Sequence, residues 1–173
     1  MSWSTAVLLG LLGIAVASDL WRHRIPNLLV LLGLAAGLIF QAYLSGLAGV
    51  GAGVLGMLIC AVVFLPLYAF GGMAAGDVKL MAMVGSFMAP HLALFAALLS
   101  LLAGGLLGFG LILARGQAGQ TLQRYWLMVR SRLYVAPAAD EVAGQPFPFA
   151  AAILAGTAAS LLWQPSAPWS FLG

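Results

Sequence analysis

The sequence predicts an all-α fold, a polytopic membrane bundle of about six transmembrane helices. Hydrophobic residues make up 64% of the 173 residues, and charged residues only 6%. About a quarter of the residues of a water-soluble domain are charged, so this chain has too few charges to cover a surface that faces water. Apolar runs separated by short polar or glycine-rich turns supply the helices. We therefore predict a single membrane domain, residues 1–173, with the lipid bilayer around it.

Five apolar runs follow one another, and their approximate bounds are 3–18, 28–44, 47–70, 80–114 and 147–163. The fourth run is interrupted at Pro90. Two crossings of a hydrocarbon core about 30 Å thick need roughly 40 residues, somewhat more than this run offers. We nevertheless interpret it as two helices hinged at Pro90, because Lys79 and Arg115 then lie on the same side. The total is six helices.

Basic residues occur only in the gaps between apolar runs, and there are seven: Arg22, Arg24, Lys79, Arg115, Arg124, Arg130 and Arg132. The positive-inside rule assigns such gaps to the cytoplasm, which puts both termini outside. No basic residue precedes the first run, so we expect a retained helix there instead of a cleaved signal peptide. The charges thus orient helices in the bilayer, and we predict no nucleic-acid partner.

The polar stretch between the last two runs, residues 115–146, is predicted to be a cytoplasmic interfacial segment. Within Thr121–Val135, apolar residues recur at helical spacing and arginines fall largely between them. This pattern is typical of an amphipathic helix that lies on the membrane surface. Asp140 and Glu141 follow it, and we interpret them as solvated loop residues.

Glycines spaced four residues apart occur at positions 33 and 37, 49 and 53, and 104 and 108. Such pairs let helix backbones approach closely. We interpret them as packing positions within one bundle. The lone cysteine, Cys60, lies in an apolar run and is interpreted as a packing residue as well.

Asp19 and Asp77 are the candidate chemical centre. Each stands where an apolar run meets a turn assigned to the cytoplasm, so we expect both on the same side at similar depth. A carboxylate near lipid is unfavourable and is a functional hypothesis by default. Two close carboxylates share a proton, so one can deprotonate a water while the other protonates a peptide carbonyl. This hydrolysis needs no metal, no other cofactor and no covalent intermediate.

The turn before Asp77 contains Gly71, Gly72 and Gly76. Glycine adopts unusual backbone angles and permits the close approach of a substrate strand. Lys79 follows and adds positive potential. A structural alternative stays open at this point, in which Asp77 is only a helix N-cap and Asp19 only a partner of Arg22.

Two turns carry a family resemblance. Ser18-Asp19-Leu-Trp-Arg-His-Arg-Ile-Pro26-Asn27 resembles the first conserved segment of the type IV prepilin peptidases. Gly71-Gly-Met-Ala-Ala-Gly-Asp77-Val-Lys-Leu80 resembles their second, of Gly-x-Gly-Asp type, with Ala74 in place of its first glycine. Alanine permits fewer backbone conformations than glycine there. A later stretch, 148–156, is similar to a third common segment.

The resemblance implies an aspartic membrane endopeptidase of the bacterial inner membrane. Its site would face the cytoplasm and remove basic leader peptides from type IV prepilins and pseudopilins. Asp19 and Asp77 match the catalytic aspartates, and five residues match motif or substrate-positioning places: Gly72, Gly76, Lys79, Pro26 and Asn27. The chain resembles the short members associated with Flp/Tad-type pili, which lack the N-methyltransferase portion.

Other functions remain open at this point. One is a different Gly-x-Gly-Asp protease, such as a preflagellin peptidase. Another is a proton- or cation-coupled transporter that uses the two aspartates as carriers. A third is an inactive scaffold for pilus assembly.

Overall fold

The structure, a computed structural model, describes residues 3–131 and 149–163. These ranges contain helices and no strand, which confirms the all-α prediction. The helices are α1 (Trp3–Arg22), α2 (Asn27–Ala69), α3 (Ala75–Ser86), α4 (Pro90–Ala114), α5 (Ala118–Ser131) and α6 (Phe149–Leu162). The predictions for Asp140, Glu141 and the remainder of segment 115–146 lie outside the described residues.

Three helices, α1, α2 and α4, are long and apolar enough to cross a membrane, with mean hydropathies of 1.7, 2.5 and 2.3. Many large apolar side chains on them point outward, among them Leu31 and Leu102. An outward apolar surface is favourable in lipid and unfavourable in water, so lipid surrounds these helices. Helices α3 and α6 are apolar but shorter. The chain is therefore a membrane protein with a helical bundle.

Helix α2 consists of two antiparallel halves joined by a sharp turn. Its 43 residues contain a break at Ser45 and Gly46, where Gly46 has φ +60°. A β-carbon at Gly53 would lie 3.1 Å from Leu38 Cδ2, whereas a straight helix would separate these residues by about 22 Å. The chain therefore turns back on itself at Gly46. The predicted boundary between the second and third apolar runs falls at this turn.

Helix α3 packs against both halves of α2 through glycines. A β-carbon at Gly37 would meet Ser86 Oγ, and one at Gly56 would meet the Gly85 carbonyl oxygen. Gly33 likewise faces Met83. The apolar side chains of α3, such as Leu80 and Val84, are fully buried. Glycine contacts thus serve packing inside one bundle, as the spacing at positions 33 and 37 indicates.

Helix α1 extends one turn beyond its predicted end at Ser18. It continues to Arg22, so Asp19 stands in its last turn instead of in the loop. Nothing in Leu20, Trp21 or Arg22 interrupts a helix, and the chain leaves it only at His23, which has φ +49°. A short connecting segment, residues 23–26, then leads to α2.

The predicted interruption at Pro90 is a real helix boundary. Helix α3 ends at Ser86 and α4 begins at Pro90. Proline is favourable in the first turn of a helix because its missing N–H has no partner there. With 12 residues, α3 is about 18 Å long, shorter than the hydrocarbon core.

The described chain divides into two compact units, one with residues 3–103 and 149–163 and the other with residues 104–131. The second contains α5, whose exposed side chains include Leu122, Trp126 and Leu127. The guanidinium of Arg130 lies 5.1 Å from the centre of the Trp126 ring. The predicted amphipathic helix is therefore present as far as Ser131, and its place on a membrane surface stays a prediction.

Candidate active site

The carboxyl group of Asp19 is buried in the last turn of α1, with 8% of the residue exposed. Its Oδ2 accepts a hydrogen bond from the backbone N–H of Ala150, at 3.4 Å. Ala150 lies in the first turn of α6, whose N–H groups have no partner within their own helix. The positive end of the α6 dipole therefore favours a negative charge on Asp19.

Asp77 is also buried, with 4% of the residue exposed. It is the third residue of α3, and its Oδ2 accepts a hydrogen bond from Ala74 N–H at 3.1 Å. Ala74 stands at the N-cap position, and Asp77 accepts from its N–H as the carboxylate of a capping box does, so Asp77 also caps the start of α3. Asp77 lies in the first turn of α3, where the helix dipole favours a negative charge.

The two carboxyl groups act on each other. Burial raises the pKa of Asp77 from its ordinary value of 3.8 to about 6, the Ala74 N–H lowers it, and the negative charge of Asp19 raises it further. Asp77 lies outside the three helices long enough to cross a membrane. His23 is close enough for a charge on its ring to interact with Asp19. Asp19 and Asp77 are thus two buried acids, and Asp77 keeps its proton to a higher pH than an exposed aspartate does.

The turn before α3 has the geometry to hold Asp77 without strain at Ala74. Ala74 has φ −81° and ψ 153°, extended angles that any L-residue adopts. The positive φ of the turn, +75°, belongs to Gly71. Gly72 N–H donates to Leu67 O at 2.8 Å and closes the end of α2. Alanine in the first position of the Gly-x-Gly-Asp segment is therefore compatible with this turn.

The remaining predicted motif residues connect the two aspartate-bearing turns. Lys79 Nζ donates a hydrogen bond to Asn27 Oδ1 at 3.1 Å. A β-carbon at Gly76 would lie 3.5 Å from Ile25 Cβ, which is ordinary contact. Pro26, with φ −62°, is the N-cap residue of α2. Four of the five motif residues therefore lie where the turns meet, and Gly72 lies at the end of α2.

The sequence does not predict that α6 contributes to the site. The contact between Asp19 and Ala150 joins residues 131 positions apart. Phe149 beside it packs edge-on against Phe64, with ring centres 5.9 Å apart. The resemblance at residues 148–156 indicates that this stretch matters. It does not specify which carboxyl group the stretch contacts.

Metal binding has no obvious place in this part of the chain. The described residues contain no group of three or more His, Cys, Asp or Glu side chains that could hold an ion.

Comparison with known proteins gives one family. The type IV leader peptidase family matches residues 6–109, which include most of α1, all of α2 and α3, the greater part of α4 and both aspartates. No curated protein and no solved structure matches the chain. Because the match covers more than half of the sequence, the chain belongs to the type IV leader peptidase family, a family of proteases.

Proposed function

We propose that this protein is an aspartic endopeptidase that cleaves the leader peptides of type IV prepilins and pseudopilins. Asp19 and Asp77 are the catalytic residues. The site faces the cytoplasm at the inner membrane of a bacterium, in a multi-pass chain. Family membership supports a protease, and the resemblance of the two turns supports this substrate class.

One observation carries the proposal. Asp19 and Asp77 are both buried, their turns contact each other, and the charge of Asp19 is a minor cause of the raised pKa of Asp77. Two buried acids of like charge are unfavourable unless they share a proton. A pair that shares a proton holds one general base and one general acid at the same time, which peptide hydrolysis requires.

The proposed reaction begins with a water between the two carboxyl groups. The ionised carboxylate takes a proton from the water, and the water oxygen attacks the carbonyl carbon of the scissile peptide. The protonated carboxyl group gives its proton to the carbonyl oxygen. The tetrahedral intermediate then collapses: its C–N bond breaks, and the leaving nitrogen takes a proton from the first carboxyl group. The second carboxylate takes back a proton from one hydroxyl of the intermediate, which becomes the product carboxyl group. The pair ends with its single proton again.

Co-expression with a candidate prepilin tests the proposal. Asp19→Asn and Asp77→Asn each keep the size of the side chain but remove its acid–base function. We expect each to lower leader cleavage about 100-fold or more. Cleavage is followed by the size shift of the prepilin and by N-terminal sequencing of the product.

Asp140→Asn is the matched control, because it makes the same chemical change at the only other aspartate in the chain. It should leave cleavage intact. Normal processing by a stably inserted Asp19→Asn or Asp77→Asn variant would overturn the proposal. Proton or cation flux in proteoliposomes without any proteolysis would favour a transporter instead.

A further inference from the structure

The connecting segment between α1 and α2, residues 23–26, is attached to the helix that carries Asp19. Ser18 Oγ donates a hydrogen bond to the backbone carbonyl of Arg24 at 2.9 Å. The N–H of His23 donates to the carbonyl oxygen of Asp19 at 2.8 Å. The segment therefore follows the end of α1, and any shift of the segment acts on the turn that holds Asp19.

The same segment and the residue after it contact the helix that carries Asp77. Ile25 lies against Gly76, the residue before Asp77. Asn27 accepts the hydrogen bond of Lys79, two residues after Asp77. The contacts thus flank Asp77 on both sides in the sequence and connect it to the chain that leads back to Asp19.

We propose that Lys79 and Asn27 are positioning residues whose hydrogen bond holds the Asp19 turn against the Asp77 turn. We call this hydrogen bond the clamp. The inference rests on the proposed function, because its purpose is to keep the two carboxyl groups at the separation that a shared proton and a water require. A displacement of about 1 Å in such a pair can lower the rate about 100-fold.

The location of the clamp favours positioning over stability. Both side chains are exposed, and water competes for exposed polar groups, so the bond adds little to the free energy of folding. Its donor is an ammonium group and its acceptor an amide oxygen, which makes a directional contact between residues 52 positions apart.

Kinetics of purified variants give the first test. Lys79→Met removes the donor, Asn27→Leu removes the acceptor, and the double variant removes both. We expect each single variant to lower kcat for leader cleavage about tenfold, with a smaller change in KM. The double variant should be no slower than either single variant, because only one interaction is lost. Arg22→Met, which removes another exposed cation near this end of α1, should stay within about twofold.

Conservative variants give the second test. Asn27→Asp keeps an acceptor oxygen and Lys79→Arg keeps a cationic donor, so both should retain most of the activity. The clamp would be overturned if the loss of kcat in the double variant were the product of the two single losses. A rise in KM at unchanged kcat would also overturn it. The second result would assign Lys79 to substrate binding.

Cross-linking tests the clamp without any cleavage assay. In a Cys60→Ala background, Ile25→Cys and Gly76→Cys should form a disulfide, because a β-carbon at Gly76 lies 3.5 Å from that of Ile25. Adding Lys79→Met or Asn27→Leu should slow its formation severalfold, measured by loss of thiol labelling, and Arg22→Met should not. An unchanged rate would overturn the clamp. Failure of the unmodified protein to cleave any leader would instead overturn the proposed function.

Discussion

The charge of Asp19 acts on the buried carboxyl group of Asp77 although α1 and α3 are separated in the sequence by the whole of α2. The charge of Asp19 raises the pKa of Asp77, and each carboxyl accepts a hydrogen bond from a backbone N–H at the start of a helix. The reversal of α2 at Gly46 makes this possible, because it returns the chain to the end of the bundle where α1 stops.

The stability of the protein should depend on the charge of Asp77. Its pKa of about 6 in the fold is higher than the ordinary 3.8, so the fold favours the protonated form. The stabilisation from protonation is complete below about pH 4 and is lost as the pH rises to about 6. It amounts to about 3 kcal/mol at 1.36 kcal/mol per pKa unit.

Asp77→Asn keeps the hydrogen-bond acceptor and removes the charge. We expect it to be more stable than the unmodified protein above pH 6, with the difference disappearing below pH 4. Thermal unfolding in detergent across this pH range measures it. A variant that is less stable at pH 8 would show that burial does not penalise the charge of Asp77.

Packing of α3 on α2 should tolerate no side chain at Gly56. A β-carbon there would meet the carbonyl oxygens of Gly85 and Met88, which are backbone atoms and cannot rotate away. Gly56→Ala should therefore lower the free energy of unfolding by about 1–3 kcal/mol. Gly51→Ala is the matched control, since nothing lies within 4 Å of its β-carbon, and it should be neutral or slightly stabilising. Equal effects of the two substitutions, measured by unfolding in detergent, would contradict the packing.

The turn before α3 should distinguish Gly71 from Ala74. Gly71 has φ +75°, so Gly71→Ala should destabilise the protein by roughly 1 kcal/mol or more. Ala74→Gly restores the family's Gly-x-Gly-Asp pattern but relieves no strain, because Ala74 is already extended. It should leave cleavage within about twofold and lower stability by about 0.5–1 kcal/mol through chain entropy. A large gain in activity from Ala74→Gly would mean that alanine restricts the turn.

Local features of the fold were accessible from the sequence. Pro90 and the polar turns mark the ends of helices, although a proline alone does not decide an end, since Pro66 lies inside α2. The end of α1 could not be predicted from the sequence, since Asp19 is compatible with a helix interior once its carboxyl group has a partner. That partner is Ala150 N–H, and the contact arises only when α6 packs against α1.

The candidate site, too, is predictable from the sequence only in part. Asp19 and Asp77 are identifiable because acids beside apolar runs are rare, and their turns resemble those of one family. The contact of Lys79 with Asn27 is not, because nothing in either residue type specifies a partner 52 positions away. At Ala74 the sequence leads to an expectation that differs from the structure. The sequence suggests a restricted turn, whereas the backbone there is extended and the positive φ belongs to Gly71.

The most direct test of the account is the rate of leader cleavage by Asp19→Asn, Asp77→Asn and the double variant, each purified and monodisperse, under single-turnover conditions. If the two carboxyl groups act as one pair, each single variant loses about 100-fold or more, and the double variant is no slower than the slower single. A single variant that keeps the unmodified rate, or a double variant whose loss is the product of both single losses, would contradict the claim that Asp19 and Asp77 form one catalytic pair.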